Sequence, residues 1–96
     1  MNWDVLLFAL MVVESNGDCS AVGDDGKALG CLQIHACVVE DVNRIYGTSY
    51  DWHVDSKYQS SSCKIAKKYA TALFEETGCT VRVGELNTIN NMEKKS

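Results

Sequence analysis

The sequence has no proline, no concentrated block of lysine and arginine, no pair of cysteines two to four residues apart, and no apolar run long enough to span a bilayer. The missing proline carries no functional information; each of the other absences removes a class of partner. Nucleic acid requires a dense basic footprint to meet its phosphates. Here nine basic residues face thirteen acidic ones, for a net charge of −4. Lys57, Lys64, Lys67 and Lys68 are better read as a solvated helix face. Without closely spaced cysteines a structural zinc site is not expected. His35 and His53 have no second ligand at helical spacing, so they read as surface or partly buried imidazoles, and neither a metal nor a cofactor is expected. The longest apolar run, Val5 to Val13, is too short to cross a membrane and is preceded by Asp4 rather than by the basic residues of a signal peptide. The expectation is a soluble monomer, made in the cytoplasm without its own export signal and without stable membrane insertion.

What is present suits one small domain over residues 1–96. At 46% apolar residues the chain can bury one modest core. Five cysteines, Cys19, Cys31, Cys37, Cys63 and Cys79, leave an odd thiol if the others pair. Reduced thiols acting as small hydrophobes are the default, with one pair able to close in an oxidising compartment. Asn2 suits a helix N-cap, and the uninterrupted apolar residues that follow predict a helix to about Val13, buried on most sides. From Ser15 to Lys27 the composition turns to Ser, Asn, Gly and Asp, and Gly23-Asp24-Asp25-Gly26 is a strong turn signal, predicting a short hairpin or irregular loop. Cys37, Val38, Val42 and Ile45, opposed by Glu40, Asp41 and Asn43, predict an amphipathic helix from Ala36 that Gly47 stops. A long packing helix is predicted from about Asp55, as its cap, to Thr77, with Gly78 just beyond. Val83 to Asn90 fits a last short helix, and Met92 to Ser96 a frayed end. The fold class is therefore α+β, mostly α.

The chemically suggestive residue is Glu14, which directly follows the apolar run. A carboxylate at the edge of a hydrophobic helix is desolvated, its charged form is disfavoured and its pKa is expected to rise. A glutamate kept partly protonated near neutral pH is what a glycosidase uses to protonate a departing glycosidic oxygen. Position alone does not establish this, because many helices end in glutamate.

The following segment reads Glu14-Ser15-Asn16-Gly17, then Ala21-Val22-Gly23, Gly26, and Ala28-Leu29-Gly30-Cys31-Leu32-Gln33-Ile34. It resembles the signature of the lysozyme-like superfamily, in particular the soluble lytic transglycosylases and their phage-related muramidases. In that family a catalytic Glu-Ser ends a helix and a Gly-x-x-Gln-Ile segment follows about fifteen residues later. The resemblance implies a lysozyme-like fold with a small hairpin lobe, Glu14 as the catalytic residue, and peptidoglycan glycan strands as the substrate. Ser15, Gly30, Gln33 and Ile34 are the expected substrate-binding residues. Gly30 would let backbone approach a sugar, or simply allow tight packing. Gln33 offers a donor and an acceptor to an N-acetyl group, to Glu14 or to local backbone. Ser15 either bonds the carboxyl or ends the helix. Cys19 and Cys31 flank the presumed cleft.

Hydrolases of this kind normally use two carboxylates. In animal-type lysozymes an Asp lies two residues before the glycine corresponding to Gly30; here that residue is Ala28. Lytic transglycosylases work with a single Glu, so the resemblance favours that mechanism. Asp24 and Asp25 are turn formers, or else supply the second carboxylate of a hydrolase. The likeness continues through Ala36 to Tyr46, Trp52, Asp55 and the helix after it. It departs at Leu86-Asn87-Thr88-Ile89-Asn90-Asn91, where the phage-related branch has a stretch like Leu-Ala-Arg-Ile-His-Asn-Gly-Gly. Asn91 keeps the cleft-lining asparagine, Asn90 replaces the ring before it, and Met92 the first glycine. The chain stops soon after, so one cleft wall is expected to be altered. Three functions follow: an active muramidase acting on the cell wall after lysis or non-classical release; a shortened relative that binds peptidoglycan without cutting it; or a small helical partner-binding protein.

Overall fold

A computed structural model describes residues 2–72. The order is α1 (Trp3–Ser15), β1 (Val22–Gly23), a 3-10 turn (Asp24–Gly26), β2 (Ala28–Leu29), β3 (Ile34–His35), α2 (Ala36–Tyr46), α3 (Trp52–Asp55) and α4 (Gln59–Thr71). The protein is mostly helical α+β, with one small antiparallel sheet in the order β1-β2-β3. Val22 lies opposite Leu29 and Gly23 opposite Ala28, while Ala28 pairs with His35 and Leu29 with Ile34. Two-residue strands are marginal on their own. These are anchored because Ala28, Leu29 and Ile34 are buried.

Helix α1 starts where the Asn2 side chain accepts the Val5 amide at 3.3 Å. It runs through Glu14 to Ser15 and is closed by left-handed residues, Asn16 (φ 55°) and Gly17 (φ 79°). Their amides return to the Val12 and Met11 carbonyls at 3.0 and 3.1 Å, satisfying acceptors that a helix end leaves open. The helix is buried along one stripe, Leu7, Leu10 and Met11, and not on most sides. Val5, Phe8 and Val13 are each about two-thirds exposed. The core lies on one side only, and an unbroken apolar run carries no periodicity to say which side.

Helix α2 has the expected extent and ends at Gly47, in the left-handed region at φ 67°. Its Asp41, expected on the polar face, is buried and accepts from Arg44 one turn on at 3.4 Å. The long helix expected from Asp55 begins instead at Gln59, and a separate short helix, α3, precedes it. The Asp51 side chain accepts the Val54 amide at 3.1 Å, and Asp55 Oδ2 accepts the Asp51 amide at 2.7 Å. This reciprocal capping fixes the start of α3, which ends at Asp55, and α4 begins only at Gln59. Between them Ser56 is fully buried, and its carbonyl occupies the space where a Cβ on Gly30 would stand. The expected helix end at Thr77, the helix over 83–90 and the tail lie outside the described residues.

The core joins α1 (Leu7, Leu10, Met11) to Cys31, Leu32 and Ile34, to Val38, Val39 and Val42 of α2, and to Ile65, Ala66, Tyr69 and Ala70 of α4. Cys37 is disulfide-bonded, its partner outside the described residues, which corrects the expectation of five reduced thiols. Cys19, Cys31 and Cys63 are free. Among the described residues no helix is long and apolar enough to cross a membrane.

Gly30 and Gly26 both have positive φ, 84° and 85°, but only Gly30 is crowded. Gly26→Ala is expected to cost about 1 kcal/mol from backbone strain alone. Gly30→Ala should cost about 3 kcal/mol or more, because packing overlap adds to the same strain. Urea unfolding of the two variants measures the difference. Among the described residues the buried Ser56 hydroxyl has no hydrogen-bond partner, so Ser56→Ala should leave Tm unchanged or raise it.

Candidate active site

Glu14 sits on the last turn of α1, partly buried, at the point where the chain turns into the loop that leads to the sheet. The neighbouring Ser15 does not end the helix passively. Its hydroxyl is within hydrogen-bonding distance of the Met11 carbonyl, 3.2 Å, and of the Cys31 carbonyl sixteen residues on, 2.8 Å. The second contact fastens the glutamate-bearing helix end to the Gly30–Ile34 segment. The two stretches singled out in the sequence are therefore neighbours in space.

That segment is a tight turn. The Gly30 amide donates to Ala21 O at 2.9 Å, and the Gln33 amide returns to Gly30 O at 3.1 Å, with Gln33 itself left-handed at φ 50°. Gln33 Nε2 donates to Gly30 O at 2.8 Å and to Ala21 O at 3.2 Å. Both amide hydrogens thus serve local backbone, and the Gln33 Oε1 lies where a side chain on Gly23 would have to stand. Gly30 is a glycine because the Ser56 backbone fills the space beside it. Ile34 is fully buried, so its side chain belongs to the core and offers nothing to a bound ligand; its carbonyl accepts Trp52 Nε1 at 2.8 Å. Asn91 lies outside the described residues.

Asp24 and Asp25 form the 3-10 turn in left-handed conformations, φ 52° and 55°, and both are exposed. Asp24 also has a partner the sequence did not reveal. Its Oδ2 lies 3.3 Å from Nε2 of His35, which is buried rather than at the surface. No spacing rule pairs these residues; the register that sets Ala28 opposite His35 brings the histidine to the turn before β2. Upstream, Asp18 Oδ1 accepts the Ser20 hydroxyl at 2.6 Å and the Ser20 amide at 2.9 Å. These bonds hold the Asp18 carboxyl below its ordinary value of 3.8, the side-chain bond contributing most.

Among the described residues two hollows open at the surface. One of about 180 Å³ is lined by Lys27, His35, Ala36, Cys37 and Trp52, the other, about 390 Å³, by Tyr46, Lys64, Lys67, Lys68 and Thr71. Glu14 lines neither. Among the described residues no group of three His, Cys, Asp or Glu is placed to hold a metal ion. Comparison with protein-family models, curated proteins and solved structures found no match.

Because Gln33 braces the hairpin through two backbone carbonyls, Gln33→Leu is expected to destabilise the protein by about 1–3 kcal/mol in denaturant unfolding. An unchanged midpoint would show that the amide bonds are dispensable to the fold.

Proposed function

We propose that this protein is a peptidoglycan-cleaving glycosidase of the lytic transglycosylase type, with a lysozyme-like fold and Glu14 as its single general acid and base. The observation that carries the reading is the Ser15–Cys31 hydrogen bond, 2.8 Å, which joins the Glu-Ser end of α1 to the Gly-x-x-Gln-Ile turn. The sequence resemblance requires those two motifs to share one cleft wall. The partial burial of Glu14 beside the apolar helix also supports a proton-donating role.

In this reading the Glu14 carboxylic acid protonates the glycosidic oxygen between MurNAc and GlcNAc as the C–O bond breaks. The resulting carboxylate then accepts the proton of the muramic 6-hydroxyl, whose oxygen closes on C1 to give a 1,6-anhydro ring. The proton returns to Glu14, and no water is consumed. Ser15, held to the Cys31 carbonyl, positions the helix end, and Gln33 keeps the facing turn in shape. The Cys37 disulfide fits work outside a reducing cytoplasm, after lysis or non-classical release.

The test is digestion of intact sacculi by the full chain beside Glu14→Gln, with mass spectrometry of the soluble products. Anhydro-muropeptides from the parent are expected, with at least a thousandfold loss in the variant, about 4 kcal/mol of transition-state stabilisation. Reducing-end products would replace this reading with a hydrolase and turn attention to Asp24 and Asp25. Binding to sacculi without products, by a folded parent, would leave a glycan-binding relative, and neither binding nor cleavage would overturn the reading.

A further inference from the structure

The four lysines read from the sequence as one solvated helix face do not stand together. Lys64, Lys67 and Lys68 line the hollow of about 390 Å³, with Thr71 of the same helix and Tyr46, the last residue of α2. Lys57 precedes α4 and is not part of the lining. Two of the three ammonium groups are held by aromatic rings from other elements. Lys68 Nζ stands 4.8 Å from the centre of the Tyr46 ring, and Lys67 Nζ 5.8 Å from that of Trp3 on α1. Tyr46 is fixed in turn, because its hydroxyl donates to the Lys68 carbonyl at 2.8 Å and lies 3.2 Å from the Thr71 hydroxyl. The wall is thus built by α2 and α4 together.

The chain as a whole carries a net charge of −4, yet this hollow gathers three cations. Lys64 stands three and four residues before Lys67 and Lys68, the spacings at which like charges on a helix repel. Among the described residues none of the three ammonium groups is in an ion pair. The negative end of the helix dipole accounts for Lys68 alone, which is in the last turn of α4; Lys64 and Lys67 lie before it. Three cations side by side, with no carboxylate in the lining, cost the fold a repulsion that an anion in the hollow removes.

We propose that this hollow binds a diphosphate group through Lys64, Lys67 and Lys68. Its volume suits a small ligand. Lysine meets phosphate as a point charge, without the planar fork by which arginine selects a carboxylate. A carboxylate or another singly charged ion neutralises one ammonium, whereas the charges of a diphosphate, spread over two linked phosphates, answer all three. Glu14 is not part of the lining, so the site stands apart from the proposed glycosidase chemistry.

The experiment titrates the full-length protein with inorganic pyrophosphate by isothermal calorimetry at low salt, beside orthophosphate and ADP. One saturable pyrophosphate site is expected, with orthophosphate about tenfold weaker because it reaches fewer of the lysines. Lys64→Gln and Lys67→Gln, both at exposed positions, should each weaken pyrophosphate binding about fivefold, and salt at about 0.5 M should weaken it further. Lys57→Gln removes the same charge outside the hollow and should leave binding unchanged. ADP binding as tightly as pyrophosphate would support a site for the diphosphate of a larger molecule; binding of pyrophosphate without ADP would support one for the free ion. No saturable pyrophosphate binding, or an equal loss from Lys57→Gln and the hollow variants, would overturn the proposal. Glu14→Gln should bind pyrophosphate like the parent, so these outcomes are independent of glycosidase activity.

Discussion

The close approach of Gly30 to the Ser56 carbonyl is the contact on which the described structure turns. Gly30 sits between the loop after α1 and the break between α3 and α4, and only a residue without a Cβ lets those backbones meet. Around it the chain buries Cys31, Leu32 and Ile34, which bring α1, α2 and α4 into one core. The same packing explains why the helix expected from Asp55 starts only at Gln59. Ser56 is turned inward over Gly30 just after α3 ends at Asp55, and α4 starts only at Gln59.

Once that turn is in place, the glutamate-bearing end of α1 is held from the other side. Ser15 reaches the Cys31 carbonyl, Gln33 reaches back to Ala21 and Gly30, and Asp18 with Ser20 closes the intervening loop. Each bond satisfies a polar group that the turn would otherwise strand. The hairpin lobe is thus built by side chains acting on backbone more than by its strands, which are only two residues long. The residues the resemblance marks as catalytic or substrate-binding divide accordingly. Ser15 and Gln33 hold backbone, Ile34 is core, and Glu14 stands at the edge of the arrangement.

The cysteines follow the same geometry. Their spacing predicts little, but the fold buries Cys31 with its Sγ 3.4 Å from the Ser62 hydroxyl, leaves Cys19 and Cys63 partly buried, and engages Cys37 in a disulfide. The four described cysteines therefore occupy distinct environments, set by burial and by their neighbours.

Local signals in the sequence determined the fold class, the start of α1 at Asn2, the reversal through Gly23-Asp24-Asp25-Gly26, and the extent of α2 up to Gly47. Each of these rests on caps, turn residues or a clear apolar period, all acting over a few residues. The meeting of the Glu14-Ser15 helix end with the Gly30–Ile34 segment was legible as well, because the turn-rich stretch between them has to fold back. Only tertiary structure decided which stripe of α1 is buried, that Asp41 and His35 are inside, that Asp24 meets His35, and that α3 and α4 are separate. These depend on which distant surface packs against each element. A uniform apolar run, a lone histidine or an aspartate on a polar stripe holds no record of its neighbour until the backbones of Gly30 and Ser56 have met.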